Sequence, residues 1–189
     1  SYDLETTRIA EGSPELLYVT AFGENFKLSM PIAGPDKEKT FCSILETYFL
    51  IPDFDKAKFI AYNGNRYDSY FIARALLSSE NWILQPYLTA SKALRGLKVK
   101  TKRRSKKTKI YSWEFLDAIS MTGIVGKKLG EFLKTFAPDF PKLDLNLEEV
   151  EFDPRNPDHV KYAERDSEGL YHGMKRVEAI IKELTDVKN

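Results

Sequence analysis

The sequence predicts an α/β domain, a mixed sheet flanked by helices, and three observations lead there. Near its start the chain runs through three short apolar stretches joined by brief connections, the pattern of an antiparallel meander. A later strand passes through a polar turn straight into a helix, which adds a crossover. A long amphipathic helix closes the chain. With 189 residues there is material for one sizeable core, one domain or one domain with an insertion. Hydrophobic content of 42% with 13% aromatics reads as globular and not disordered.

Each element has a local reason. Residues 2–7, Tyr2-Asp3-Leu4-Glu5-Thr6-Thr7, alternate in the manner of a strand. Residues 16–22 and 26–32 are the second and third strands, turned by Gly23-Glu24-Asn25. Residues 40–51 carry Phe41, Ile44, Leu45, Tyr48 and Phe49 at helical spacing, and Pro52 stops them. Residues 58–62 form a short apolar strand, broken by Asn63-Gly64-Asn65, and residues 67–77 are helical again. Residues 83–121 read as β structure, a hairpin whose basic tip is residues 98–109. Residues 125–136 form an amphipathic helix ended by Pro138 and Pro141, followed by a polar loop over 142–155. Asn156-Pro157-Asp158 opens the last helix, with proline at its first position, and it runs to about residue 184.

Net charge is only +1, so the field of the whole molecule does not point to nucleic acid. Its distribution says more. The tip at 98–109 is mostly Lys and Arg without an acid, so it is either a phosphate-tracking arm or a solvated hairpin end. Cys42 is the lone cysteine, which excludes an internal disulfide and fits a reducing compartment. No apolar run is long enough to span a membrane, and nothing resembles a signal peptide. Little apolar chain leads into the acid-bearing first strand, which predicts a piece excised from a longer protein.

Four polar signals bear on chemistry. Asp3 and Glu5 lie two apart on a strand and point the same way, so they repel unless a cation lies between them. Oxygen donors of this kind suit Mg²⁺ or Mn²⁺, although D-x-E alone is common on solvated strands. Asp68 follows a strand and a turn at the start of a helix, where a capping role is the ordinary alternative. Tyr162 and Asp166 are four apart and share a helix face, which could equally be a core tyrosine beside a solvated acid. His159 reads as helix-start surface and His172 as packing or solvent, neither a ligand.

Taken in order, Asp3-Leu4-Glu5, then Asn63-Gly64-Asn65-Arg66-Tyr67-Asp68, then Tyr162-Ala163-Glu164-Arg165-Asp166, the chain resembles the DEDD 3′–5′ exonucleases of RNase H-like (DnaQ-like) fold. More narrowly it is similar to the proofreading domain of family B DNA polymerases, in wording nearest the protein-primed subgroup of phages, viruses and linear plasmids. Lys142-Leu143-Asp144-Leu145 fits that subgroup's K-x-x-hydrophobic motif. A sister branch has a histidine five residues before the last aspartate; here that position is Lys161, so the tyrosine version holds. The resemblance spans residues 2 to about 175.

The resemblance implies two divalent cations, Mg²⁺ or Mn²⁺, held by Asp3, Glu5, Asp68 and Asp166, with Asp3 bridging. It implies that Tyr162 orients the attacking water and that Lys142 neutralises phosphate charge. Thr6, Asn63, Tyr67 and Phe71 would hold a single-stranded DNA 3′ end, and Lys102, Arg103 and Arg104 of the basic tip would track phosphates. The implied protein is a monomer whose partner is the polymerase domain of the same parent chain. Its implied place is intracellular, in the cytoplasm of an infected or plasmid-bearing host or in a mitochondrion carrying a linear plasmid. No palm motif follows Asp166, so this stretch alone would not polymerise. Two alternatives share these residues: a nucleic-acid-binding module without turnover, and a 3′–5′ exoribonuclease, which contacts to the 2′-OH would distinguish.

Overall fold

A computed structural model describes residues 1–7, 14–64, 67–92, 94–103, 105, 109–123, 128–145 and 150–186. Its main elements are β1 (Tyr2–Thr6), β2 (Leu16–Gly23), β3 (Phe26–Pro31), α1 (Lys37–Ile44), β4 (Lys58–Ala61), α2 (Asp68–Leu77), β5 (Trp82–Leu88), β6 (Leu94–Thr101), β7 (Ser112–Asp117), α3 (Ala118–Thr122), α4 (Leu129–Phe136) and α5 (Pro157–Asp186). They gather into two compact units, Ser1–Pro31 with Thr122–Asn189, and Ile32–Met121. Among the described residues no helix is long and apolar enough to cross a membrane.

The first unit holds the meander, an antiparallel sheet in the order β1-β2-β3. Gly23 pairs with Phe26, so the turn between β2 and β3 is the two residues Glu24 and Asn25. A register shift between Glu5 and Thr6 marks a bulge at the end of β1. Helix α5 lies on β2 and β1, and α4 packs on α5. The Thr20 hydroxyl fastens α5 to β2: it donates to the Ala163 carbonyl at 3.2 Å and shares a 2.6 Å hydrogen bond with Ser167 Oγ. Gly169 and Gly173 let α4 approach: a Cβ at 173 would stand 2.5 Å from Phe132 Cε1, and one at 169 would stand 3.0 Å from Leu133 Cδ1. Asn156 caps α5, its Oδ1 accepting the Asp158 N–H at 3.0 Å.

His159 corrects the surface reading. It is only 5% exposed, and its Nδ1 accepts the Asp153 N–H at 2.9 Å. The loop before α5 folds Phe152 onto Tyr18 and over His159, which takes the imidazole out of water. Of the two roles open to His172, packing or solvent, it takes packing, stacked on Phe140 at 3.9 Å between ring centroids.

The second unit holds a mixed sheet in the order β4-β7-β6-β5. The pair β4 and β7 is parallel, and the other two pairs are antiparallel. Helix α2 packs on β5 and β6, and α1 packs on α2. The core is aromatic, with Phe59 stacked on Phe115 at 5.1 Å and Trp113 edge-on to Trp82 at 5.8 Å.

Three boundaries differ from expectation. The helix expected at 40–51 starts at Lys37, because Asp36 caps it by accepting the Lys39 N–H at 2.9 Å, and it ends in a π-helical turn, Leu45–Phe49. The helix expected from 125 begins at Leu129; residues 124–127 lie outside the described residues. The basic tip is shorter than 98–109: β6 continues through Thr101, with Val99 opposite Trp113 and Lys100 opposite Ser112. Val99 and Trp113 are buried, so the sheet's core claims this stretch, while Lys98 turns outward to Glu114 Oε1 at 3.1 Å. Residues 118–121, expected as β structure, belong instead to helix α3, because Asp117 Oδ2 caps the turn by accepting from Ser120 N at 3.1 Å and Ser120 Oγ at 2.9 Å.

Candidate active site

Strand pleating sets the first two groups. Asp3 and Glu5 share a face of β1, and residues opposite each other on adjacent antiparallel strands share a face too. Asp3 stands opposite Thr20, and Glu5 opposite Tyr18. Thr20 bonds to the backbone of α5, and Tyr18 packs against Ala163 of α5. Both carboxylates therefore lie on the face that α5 covers. On α5, Tyr162 and Asp166 are one turn apart and buried, 7% and 4% exposed. Lys142 arrives from the segment after α4, its stem passing 3.8 Å from where a Gly130 Cβ would stand. Its Nζ donates to Asp166 Oδ2 at 2.6 Å and lies 4.6 Å from the centroid of the Tyr162 ring.

The charges of these groups are strongly coupled. Burial pushes the Asp3 carboxyl up to about 7, helped by the charge of Asp166; Lys142 and the Leu4 N–H pull the other way. Burial also raises Asp166, against Lys142 and Tyr162. The Tyr162 phenol is pushed up to about 12, first by burial and then by Asp166. Burial works against the Lys142 ammonium, but Asp166 and Tyr162 outweigh it and hold it charged beyond its ordinary range. One ammonium thus acts on both Asp3 and Asp166.

Asp166 Oδ1 is buried without a hydrogen-bond partner. An acceptor in that position is costly unless something positive comes to it. The donor set is all oxygen, which fits a hard divalent cation. Among the described residues no three acids, histidines or cysteines are already gathered as a cation cage.

A pH dependence follows from these shifts. From about pH 4 to about 7 the folded chain holds a proton on Asp3 that the unfolded chain has released, and Asp166, also raised, acts in the same direction. These carboxyls therefore cost stability as pH rises through that window, whereas the buried Ser1 amine, which burial pulls down to about 5, contributes stability that grows from about pH 5 to 8. In EDTA from pH 5 to 8 the melting midpoint of the parent is expected to fall relative to that of Asp3→Asn, with Mg²⁺ restoring part of the loss at pH 8 and little at pH 5. A parent midpoint that does not fall relative to Asp3→Asn as pH rises in EDTA would contradict the shift of Asp3.

The other predicted residues divide between the units. Thr6 is half-buried beside the β1 bulge in the first unit. Asp68 is the first residue of α2 in the second unit and is 7% exposed; the capping position is Tyr67, not Asp68, and Tyr67 makes no side-chain cap bond. Asn63 has φ of 62°, a left-handed conformation that asparagine tolerates, so it has a turn-making reason of its own. The Ser69 N–H bonds to the Gly64 carbonyl at 3.0 Å and closes that turn onto α2; residues 65 and 66 lie outside the described residues. Tyr67 is 49% exposed, whereas Phe71 is buried in the packed face of α2. Lys102 and Arg103 are exposed at the end of β6, and Arg104 lies outside the described residues.

Sequence reasoning missed Thr20 and Ser167, which fix the helix bearing Asp166 against the sheet. Both are 1% exposed. A hydroxyl inside the apolar run of β2 was the available signal, because buried polar groups need partners. No family model, curated protein or solved structure matches the chain.

Proposed function

We propose that this chain is a metal-dependent 3′–5′ exonuclease, the proofreading domain of a family B DNA polymerase, hydrolysing the last phosphodiester of single-stranded DNA. One arrangement carries the reading: β1 turns Asp3 and Glu5 toward the helix on which Tyr162, Asp166 and the ammonium of Lys142 meet. Asp68 enters through the sequence motif alone.

When bound, Mg²⁺ or Mn²⁺ would activate a water and stabilise the leaving 3′ oxygen. The residues of the chain do the rest. Asp3, Glu5 and Asp166 supply carboxylate oxygens to hold the ions. Lys142 offsets negative charge at the phosphate, a fixed cation in a water-poor site. Tyr162 positions the attacking water through its hydroxyl. It does not serve as the base near neutrality, because its phenol is pushed up to about 12. Tyr162→Phe is therefore expected to lower the rate of shortening about 10²-fold with little change in KM; an unchanged rate would remove the positioning role.

The deciding experiment incubates the chain with a 5′-labelled single strand and Mg²⁺ or Mn²⁺, beside Asp3→Ala and Asp166→Ala. The expected result is a ladder of 3′ shortening that vanishes in both variants. Binding without shortening in either metal would favour the non-catalytic module. A matched RNA strand cut as fast as, or faster than, DNA would favour the exoribonuclease.

A further inference from the structure

The orphaned carboxylate oxygen beside a lysine suggests how the site is kept when no divalent ion is bound. Resting on the metal-dependent reading above, we infer that Lys142 is a resident counter-cation which a divalent ion must displace from Asp166, so that the lysine sets a threshold for metal loading. Lys142 Nζ occupies Asp166 Oδ2 at 2.6 Å, leaving only the buried Oδ1 unpartnered. The same ammonium sits over the Tyr162 ring at 4.6 Å, so it spans the two groups the resemblance assigns to metal and water. A divalent ion on Asp166 would stand within a few ångströms of that ammonium, and like charges so close in a poorly hydrated site repel strongly.

One partner can yield and the other cannot. The Lys142 side chain is 34% exposed, while that of Asp166 is 5% exposed. Asp166 is fixed on a helix whose next residue, Ser167, is bonded to Thr20 at 2.6 Å. Lys142 belongs to an irregular segment, residues 141–145, without helix or strand. Its flexible stem can swing the charged head into water while Asp166 stays. Released from the carboxylate, the ammonium becomes available for a phosphate oxygen, so metal loading and substrate neutralisation would be one event. A purely static ion pair predicts the reverse for its removal, because Asp166 would lose the group that holds it in place.

Calorimetric titration of Mg²⁺ into the full chain, without nucleic acid, separates the two. Lys142→Met keeps the stem and removes the charge, and is expected to bind Mg²⁺ about tenfold tighter than the parent, whereas Lys142→Arg is expected to bind no tighter. Unchanged or weaker binding by Lys142→Met would overturn the inference and leave the metal-dependent reading standing. An absence of Mg²⁺ binding by both the parent and Lys142→Met would instead sink that reading itself. Should Lys142→Met not fold, the parent protein still decides. The side-chain nitrogen resonance of Lys142, followed by NMR, is expected to move toward that of a solvated lysine as Mg²⁺ is added. A resonance that stays put while Mg²⁺ binds would overturn displacement.

Discussion

Asp166→Asn is expected to slow 3′ shortening of a labelled single strand by about 10³-fold, and Asp3→Asn by a similar factor. The amide keeps the shape of the carboxylate but not its charge. At position 166 it would also strand the Lys142 ammonium, which is 2.6 Å from the oxygen that now bonds it. At position 3 the loss falls on a carboxyl whose desolvation and proximity to Asp166 already mark it as needing a cation. Single-turnover rates with saturating Mn²⁺ are the measurement, since they separate lost chemistry from lost metal. Losses under tenfold in both variants would end the nuclease reading. Asp68→Asn in the same assay tests the second motif by itself.

Gly173→Ala is expected to destabilise the chain by about 1–2 kcal/mol, opposite to the usual sign. Alanine in a helix interior is normally favoured over glycine by about 1 kcal/mol. Here the added methyl would stand 2.5 Å from Phe132 Cε1 and 3.2 Å from Cζ. Phe132 is fully buried, so its ring cannot retreat into water. Overpacking of a tight core typically costs about 1–3 kcal/mol, which exceeds the propensity gain. Gly169→Ala meets Leu133 methyls at 3.0 and 3.1 Å and the Phe140 carbonyl at 3.1 Å, a milder clash. Chemical denaturation of the three proteins would check the order parent, Gly169→Ala, Gly173→Ala; equal or higher stability of Gly173→Ala would refute it. Because α5 carries Tyr162 and Asp166, tilting it away from α4 should lower activity along with stability.

The local signals were legible for a common reason. Alternation places Asp3 and Glu5 on one face of a strand, and four-residue spacing places Tyr162 and Asp166 on one face of a helix, whatever surrounds them. The Glu24-Asn25 turn and the proline at the start of α5 are decided by the chain within a few residues. The basic run was misread because its lysines dominate the composition, while burial of Val99 against the core decides the backbone of residues 98–101. His159 was misread because a helix-start histidine is ordinarily solvated, and only the return of Phe152 covers it.

From its sequence alone the chain declared which polar residues travel together, the order of its strands and helices, and the resemblance those motifs bear. Only tertiary structure decided what each face meets. The register of β1 on β2 and the Thr20 bonds to α5 turn the acids of β1 toward Asp166, and the chain path after α4 brings Lys142 to it. Neighbours along the chain fix a side chain's direction, but its desolvation, its partner and its charge state depend on groups well beyond the local turn, 24 residues apart for Lys142 and Asp166 and 143 for Thr20 and Ala163, and these come together only when the core packs.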